Sequence, residues 1–106
     1  MRVLIDACLP VQLKNHLPLF EVHTTREMGW HQKSNGDLLK LAQEQFDVLV
    51  SMDKGIPSQQ DLTRYAIALL VIKARSNRLP DLLPLIPRIM ECLPLAKRGK
   101  VLVVGE

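Results

Sequence analysis

Cysteine is scarce in this chain: Cys8 and Cys92 are the only two, and they form neither a CxxC pair nor a zinc-ligand spacing. A disulfide-built scaffold and a cysteine zinc site are therefore excluded, and reduced thiols in a cytoplasmic protein are the expectation. A phosphatase-type cysteine would need an arginine six positions on, and Lys14 stands there instead. Histidine is equally uninformative, because His16, His23 and His31 are scattered without metal-ligand spacing. Long apolar runs are missing too. The longest, Ala66 to Ile72, has seven residues, against the ~20 of a membrane span. The opening Met1-Arg2, followed at once by a strand-like run, does not resemble a signal peptide. No repeat, low-complexity stretch or linker divides the 106 residues, so 1–106 reads as a single domain.

What is present is ample apolar material, 47% of the residues, and a chain of this size buries roughly 65% of its unfolded surface. Strand and helix signals alternate. Val3 to Ile5 is a short β-branched run suited to a strand buried on both faces. Pro10 suits a first helical turn, with Val11, Leu13 and Leu17 as part of an apolar face. Leu19 to Thr24 reads as a second strand, and residues 25–34 as a polar loop in which Trp30 covers the core or offers a surface for stacking on a base. Asn35 is placed to cap a helix whose face carries Leu38, Leu39, Leu41, Ala42 and Phe46. Val48 to Val50 is the third strand.

Lys54 to Pro57 reads as loop, since Gly55 and Pro57 both oppose continuation, and a short helix over Ser58 to Arg64 follows. Ala66 to Ile72 is the strongest strand signal. Asn77 to Leu93 has helical periodicity, which Pro84 and Pro87 should kink or split. Lys100 to Val104 makes a last strand. Strands spaced by helical segments argue for an α/β fold with a mainly parallel sheet of about five strands. An order such as 2-1-3-4-5 would make strands 1 and 3 neighbours, with the ligand-binding switch point between their carboxyl ends.

Three aspartates gain meaning from that order. Asp6 ends strand 1, Asp53 follows strand 3, and Asp37 opens the intervening helix. In a parallel sheet all three lie at one edge, where their repulsion is most simply relieved by Mg²⁺ or Mn²⁺. Such an ion can orient a phosphate and activate water. Glu27 and Asp61 are reserve carboxylates.

Charge is unevenly divided. Residues 1–61 hold six Lys/Arg against eight Asp/Glu, and residues 62–106 hold eight against three. Lys73, Arg75 and Arg78 follow strand 4 directly, with Asn77 among them as a polar contact or helix cap. Cations at that edge would grip a phosphate backbone.

Taken together, Asp6 with Leu9-Pro10, Gly36-Asp37-Leu38-Leu39, Val48-Leu49-Val50-Ser51-Met52-Asp53-Lys54 and Arg75-Ser76-Asn77-Arg78-Leu79 resemble the PIN-like domains, in particular their short stand-alone bacterial members. The resemblance implies a Rossmann-like three-layer α/β/α sandwich and a Mg²⁺- or Mn²⁺-dependent ribonuclease ancestry. It implies Asp6, Asp37 and Asp53 as catalytic and metal-binding residues. Lys54, Lys73, Arg75, Asn77 and Arg78 become the nucleic-acid contacts. The implied partners are RNA, a small DNA-binding antitoxin if the chain is the toxin of a toxin–antitoxin pair, and a second copy of the chain. Relatives commonly read Asp-Glu-Asn after strand 1, whereas here the residues are Asp6-Ala7-Cys8, one carboxylate and one amide fewer. A PIN-like domain that has lost catalysis and binds RNA or a protein is therefore the competing expectation. A receiver-like phosphorylation domain also carries aspartates after strands 1 and 3, but it wants Ser or Thr after strand 4 and Lys after strand 5. This chain has Lys73-Ala74 after strand 4, and Lys100 before strand 5.

Overall fold

A computed structural model describes residues 1–105. Five strands, β1 (Arg2–Ile5), β2 (Glu21–Thr24), β3 (Val48–Ser51), β4 (Ala68–Lys73) and β5 (Val101–Gly105), form one sheet in the order β2-β1-β3-β4-β5. Every neighbouring pair is parallel. The expected α/β class, strand order and β1–β3 adjacency are all present.

Alternation along the strands explains the three layers. Val3, Ile5, Val48, Val50, Leu70 and Ile72 point to one side, into a core completed by Leu13, Leu17, Leu82, Ile89 and Leu93. Leu4, Leu49, Leu69 and Val71 point to the other, against Leu38, Leu39, Ala42, Phe46 and Ile56. Strands covered on both faces have no polar side, and for that reason they read as continuous apolar runs.

Helix α1 (Asn35–Ala42) begins one residue beyond its cap, which is Ser34 and not Asn35: the Ser34 hydroxyl accepts the Asp37 N–H at 3.3 Å. Asp37 in the first turn and Lys40 in the last both suit the helix dipole. Leu41 is partly exposed and does not join the apolar face. The Pro10 segment closes into a 3-10 helix, Val11–His16.

The segment expected as loop after Asp53 is instead helix α2 (Gly55–Gln59), followed by a 3-10 turn at Leu62–Arg64. Gly and Pro do not prevent it because both sit in the first turn. Pro57 lacks an N–H that would have had no intrahelical partner there. Gly55 lets the backbone approach Asp53, whose Oδ1 accepts its N–H at 2.8 Å; a Cβ on Gly55 would come within 3.0 Å of that oxygen. Ile56, fully buried, anchors the helix to the core.

The prolines divide the last helical region as expected. It runs as α3 (Leu79–Leu82), a 3-10 turn at Leu83–Leu85, α4 (Ile86–Cys92) and a second 3-10 turn at Leu93–Leu95. Pro80, Pro84, Pro87 and Pro94 each occupy the first turn of their own segment, where a missing N–H costs least. No helix among the described residues is long and apolar enough to cross a membrane.

Candidate functional site at the carboxyl edge of the sheet

Ile5 lies opposite Thr24 on one side and Val50 on the other. One step further, the Thr25 N–H donates to Ile5 O and the Asp6 N–H to Val50 O, at 3.0 and 2.9 Å. The row Thr25–Asp6–Ser51 therefore crosses three adjacent strands at the carboxyl edge. By alternation its side chains share the face of Leu4 and Leu49, the face covered by α1.

Ser51 ties this row together. It is fully buried, and its hydroxyl donates to Asp6 Oδ2 at 2.7 Å while accepting the Asp53 N–H at 3.0 Å. Asp6 Oδ1 accepts the Ala7 N–H at 2.8 Å. Asp53 Oδ2 accepts from the Asn35 side-chain amide at 3.3 Å, which draws the start of α1 to the same place. Asp37 lies two residues further into that helix and is exposed; its backbone N–H is held by Ser34, and its carboxylate shares no hydrogen-bond partner with Asp6 or Asp53 among the described residues. The structure thus joins the Asp6 carboxylate to the Asp53 backbone through Ser51, with Asn35 bridging to α1, and does not gather Asp37 with them into the expected cluster of three.

Asp6 and Asp53 accept only from neutral donors, and neither enters a salt bridge among the described residues. Two anionic groups at one edge without a protein cation suit a divalent ion. No set of three His, Cys, Asp or Glu among the described residues is gathered closely enough to hold a metal by itself. Mg²⁺ does not require such a set, since it is commonly held by one or two carboxylates, retained waters and substrate phosphates. The Thr25 hydroxyl adds to the fit. It is buried beside Asp6 and is the only buried side-chain polar atom without a hydrogen-bond partner among the described residues. A buried polar group left unpaired costs stability, so a water held in this row is its natural complement.

Cys8 closes the row from below. Its Sγ lies 3.4 Å from Ser51 Oγ and 3.7 Å from Asp6 Oδ2, and it accepts the Met52 N–H at 3.4 Å. Burial pushes the thiol pKa above its ordinary value of 9.0, and Asp6 adds to the rise, against lowering by Ser51 and Met52. Between the unfolded value and the raised folded value the unfolded chain releases the proton first, so Cys8 withdraws stability only as pH climbs above 9.0. At neutral pH it is a thiol and a poor nucleophile. In a Cys92→Ser protein at pH 8, iodoacetamide is expected to alkylate Cys8 several-fold more slowly than a free cysteine peptide. Equal rates by mass spectrometry would contradict the buried thiol.

The basic residues after β4 occupy the same edge. Lys73, Arg75 and Arg78 are exposed and enter no salt bridge among the described residues. Lys73 and Arg75 line a cavity of about 310 Å³ with Pro80, Asp81, Pro84 and Leu85. Asn77 is neither free nor a cap: its amide donates to Cys8 O at 3.0 Å and so fastens this segment to the loop after β1. Lys54 is exposed next to Asp53.

The reserve carboxylates are occupied elsewhere. Glu27 pairs with Lys14 at 2.8 Å and accepts the Thr24 N–H, while Asp61 caps the 3-10 turn at Thr63. Hydrogen bonding, from Lys14 and from Thr63 respectively, holds both carboxyls below their ordinary range. Trp30 packs edge-on against Phe46 and covers the core. Cys8 and Cys92 are both free.

Sequence reading missed Ser51, Thr25 and Asn35. Ser51 carried a usable signal, as a lone hydroxyl closing an apolar strand two residues before Asp53. Thr25 and Asn35 had none, because their relevance comes from neighbours distant in sequence. Comparison with family models, with curated proteins and with solved structures gives no match for this chain.

Proposed function

We propose that the chain is a PIN-like, Mg²⁺- or Mn²⁺-dependent endoribonuclease whose reactive edge is built on Asp6 and Asp53. The observation that carries this reading is the buried Ser51 hydroxyl, which ties the Asp6 carboxylate to the Asp53 backbone at the β1–β3 switch point. When bound, the divalent ion supplies an activated water and charge stabilisation on the phosphate. The chain's own residues do the rest. Asp6 and Asp53 offer the ion carboxylate oxygens, Ser51 holds Asp6 in one orientation, and Thr25 gives a hydroxyl to a water in the row. Asp37 contributes through solvent from the first turn of α1. Lys54, Lys73, Arg75 and Arg78 hold the phosphate backbone, and Asn77 positions the loop that carries Arg75 and Arg78. A toxin role, with a small DNA-binding antitoxin as partner, is consistent with such an activity.

The second reading is a PIN-like domain that binds RNA or a protein without cleaving. It is favoured by Ala7-Cys8 after Asp6 and by the want of a third carboxylate in direct register with the pair. A receiver-like role has less support. β4 ends in Lys73 and Ala74 follows it, so the hydroxyl that phosphotransfer would use is missing there, and Lys100 precedes β5.

Mn²⁺ titration with RNA cleavage assayed in parallel separates the two main readings. The nuclease broadens the NMR signals of Asp6, Asp53 and Thr25 first and cleaves single-stranded RNA only with the ion present. Steeply salt-dependent RNA binding with no cleavage and no such broadening selects the binding domain. Cleavage undiminished in chelator defeats the proposal.

A further inference from the structure

The positive charge of residues 62–106 does not all lie beside the aspartates. Arg64, Lys97, Arg98 and Lys100 sit at the opposite end of the sheet, before β4 and before β5. Arg64, Arg98 and Lys100 line one open cavity of about 450 Å³ together with Thr63, Tyr65, Ala66 and Gly99. Strands of four to six residues separate this end from Asp6 and Asp53, a distance of roughly 13–20 Å at ~3.3 Å per residue.

The chain brings these cations together by specific backbone geometry. Gly99 adopts φ +77°, a left-handed conformation in which other residues are strained. Its N–H donates to Ile67 O at 2.9 Å, and the Lys100 N–H closes the turn on Lys97 O at 3.0 Å. A Cβ at Gly99 would come to 3.4 Å from Leu62 O and Thr63 Cα, so the turn rests directly on the segment that carries Arg64. Lys100 O in turn accepts from Leu69 N–H at 3.0 Å, which locks the start of β5. Crowding cations in this way is unfavourable unless an anion joins them. Lys97, Arg98 and Lys100 enter no salt bridge among the described residues, and Arg64 has only Asp61, at 3.7 Å and on the surface.

We propose that this cavity is a second, separate binding site for single-stranded nucleic acid, in which Arg64, Arg98 and Lys100 hold the phosphate backbone and Tyr65 offers its ring to a base. Guanidinium forks match phosphate oxygens in pairs, and an ammonium adds a mobile charge. Tyr65 is half-buried: its ring packs against the core and its hydroxyl donates to Gln60 Oε1 at 3.0 Å, which together fix the part of the ring that lines the cavity. A basic groove with a fixed aromatic is the combination that binds single strands without sequence preference. An acidic peptide would satisfy the charges but not the ring. The site stands whether or not the aspartate edge cleaves RNA.

Fluorescence anisotropy of a labelled oligouridylate, in chelator so that no ion-dependent cleavage intervenes, tests it on the full chain. Arg98→Glu with Lys100→Glu is expected to weaken binding tenfold or more. Arg98→Gln with Lys100→Gln, a gentler change at exposed positions, should lower the slope of log affinity against log salt by about 1.4, or ~0.7 per lost phosphate contact. In a Lys73→Glu, Arg75→Glu background, which already lacks two cations of the aspartate edge, Arg98→Glu with Lys100→Glu should still weaken the remaining binding tenfold or more. Wild-type affinity in both Arg98/Lys100 variants overturns the proposal, as does displacement of the RNA by polyglutamate at equal charge. A protein that binds no RNA at low salt overturns it as well. Cleavage that ignores the ion or survives Asp6→Asn defeats the nuclease reading alone and leaves this site untouched.

Discussion

Asp6→Asn is expected to reduce Mn²⁺-dependent RNA cleavage by about a hundredfold or more while the protein stays folded. The size follows from the role proposed for the carboxylate at this edge. Removing its charge weakens the hold on a divalent ion, and even a small misplacement of the reacting groups costs about 10²-fold in rate. Stability should change far less. Asparagine keeps one oxygen to accept the Ala7 N–H, and its amide can face Ser51 Oγ, so the loss is about 1–2 kcal/mol for one charge-assisted bond exchanged for a poorer one. Asp53→Asn should behave in the same way, since its Oδ1 and Oδ2 accept from Gly55 and Asn35. Because the two groups act as a unit, the double variant should be little worse than either single one. Kinetics on purified protein with urea unfolding in parallel decide the matter. Cleavage at the wild-type rate in both variants would falsify the assignment of the edge.

Leu69→Ala should be the most destabilising single truncation in the sheet, lowering unfolding free energy by about 3–5 kcal/mol. Leu69 is fully buried near the start of β4, paired with Leu49 on one side and Val101 on the other, and it belongs to the core under α1 and α2. Both of its neighbours are held in hydrogen-bonded strands, so the cavity cannot collapse easily, and that is the condition under which Leu→Ala costs most. Against a total stability of roughly 5–15 kcal/mol for a domain of this length, a large part of the margin disappears. Leu41→Ala, at a leucine 37% exposed on α1, is the control, with an expected loss of about 0.5–1 kcal/mol. Similar denaturation midpoints for the two variants would contradict the two-layer core.

The local signals in this chain were strong where one element decides its own conformation. Val48-Leu49-Val50 could be read as a strand because covering on both faces leaves no polar position in it. Pro84 and Pro87 announced breaks in the last helical region because a missing N–H acts within one turn. The same reasoning failed after Asp53. Gly55 and Pro57 look like breakers, yet both fall in a first turn where they are tolerated, and a buried Ile56 and the Asp53 carboxylate hold α2 in place. Asn35 has a side chain that suits the cap, but Ser34 takes that role, which frees Asn35 to reach Asp53.

The sequence by itself determined the α/β class, the five strands and the placing of Asp6 and Asp53 at strand ends, because apolar periodicity and chain length constrain those locally. Only the tertiary structure decided what surrounds the aspartates. Parallel register sets Thr25 and Ser51 beside Asp6 from three separate segments of the chain, leaving one hydroxyl shared and another without a partner among the described residues. It also divided the basic half, sending Lys73, Arg75 and Arg78 to the aspartate edge and Arg64, Arg98 and Lys100 to the opposite one. Residues at the two ends of a strand are close in sequence but a strand length apart in space. A net charge therefore says how much anion the protein can attract, and the direction of the strands says where.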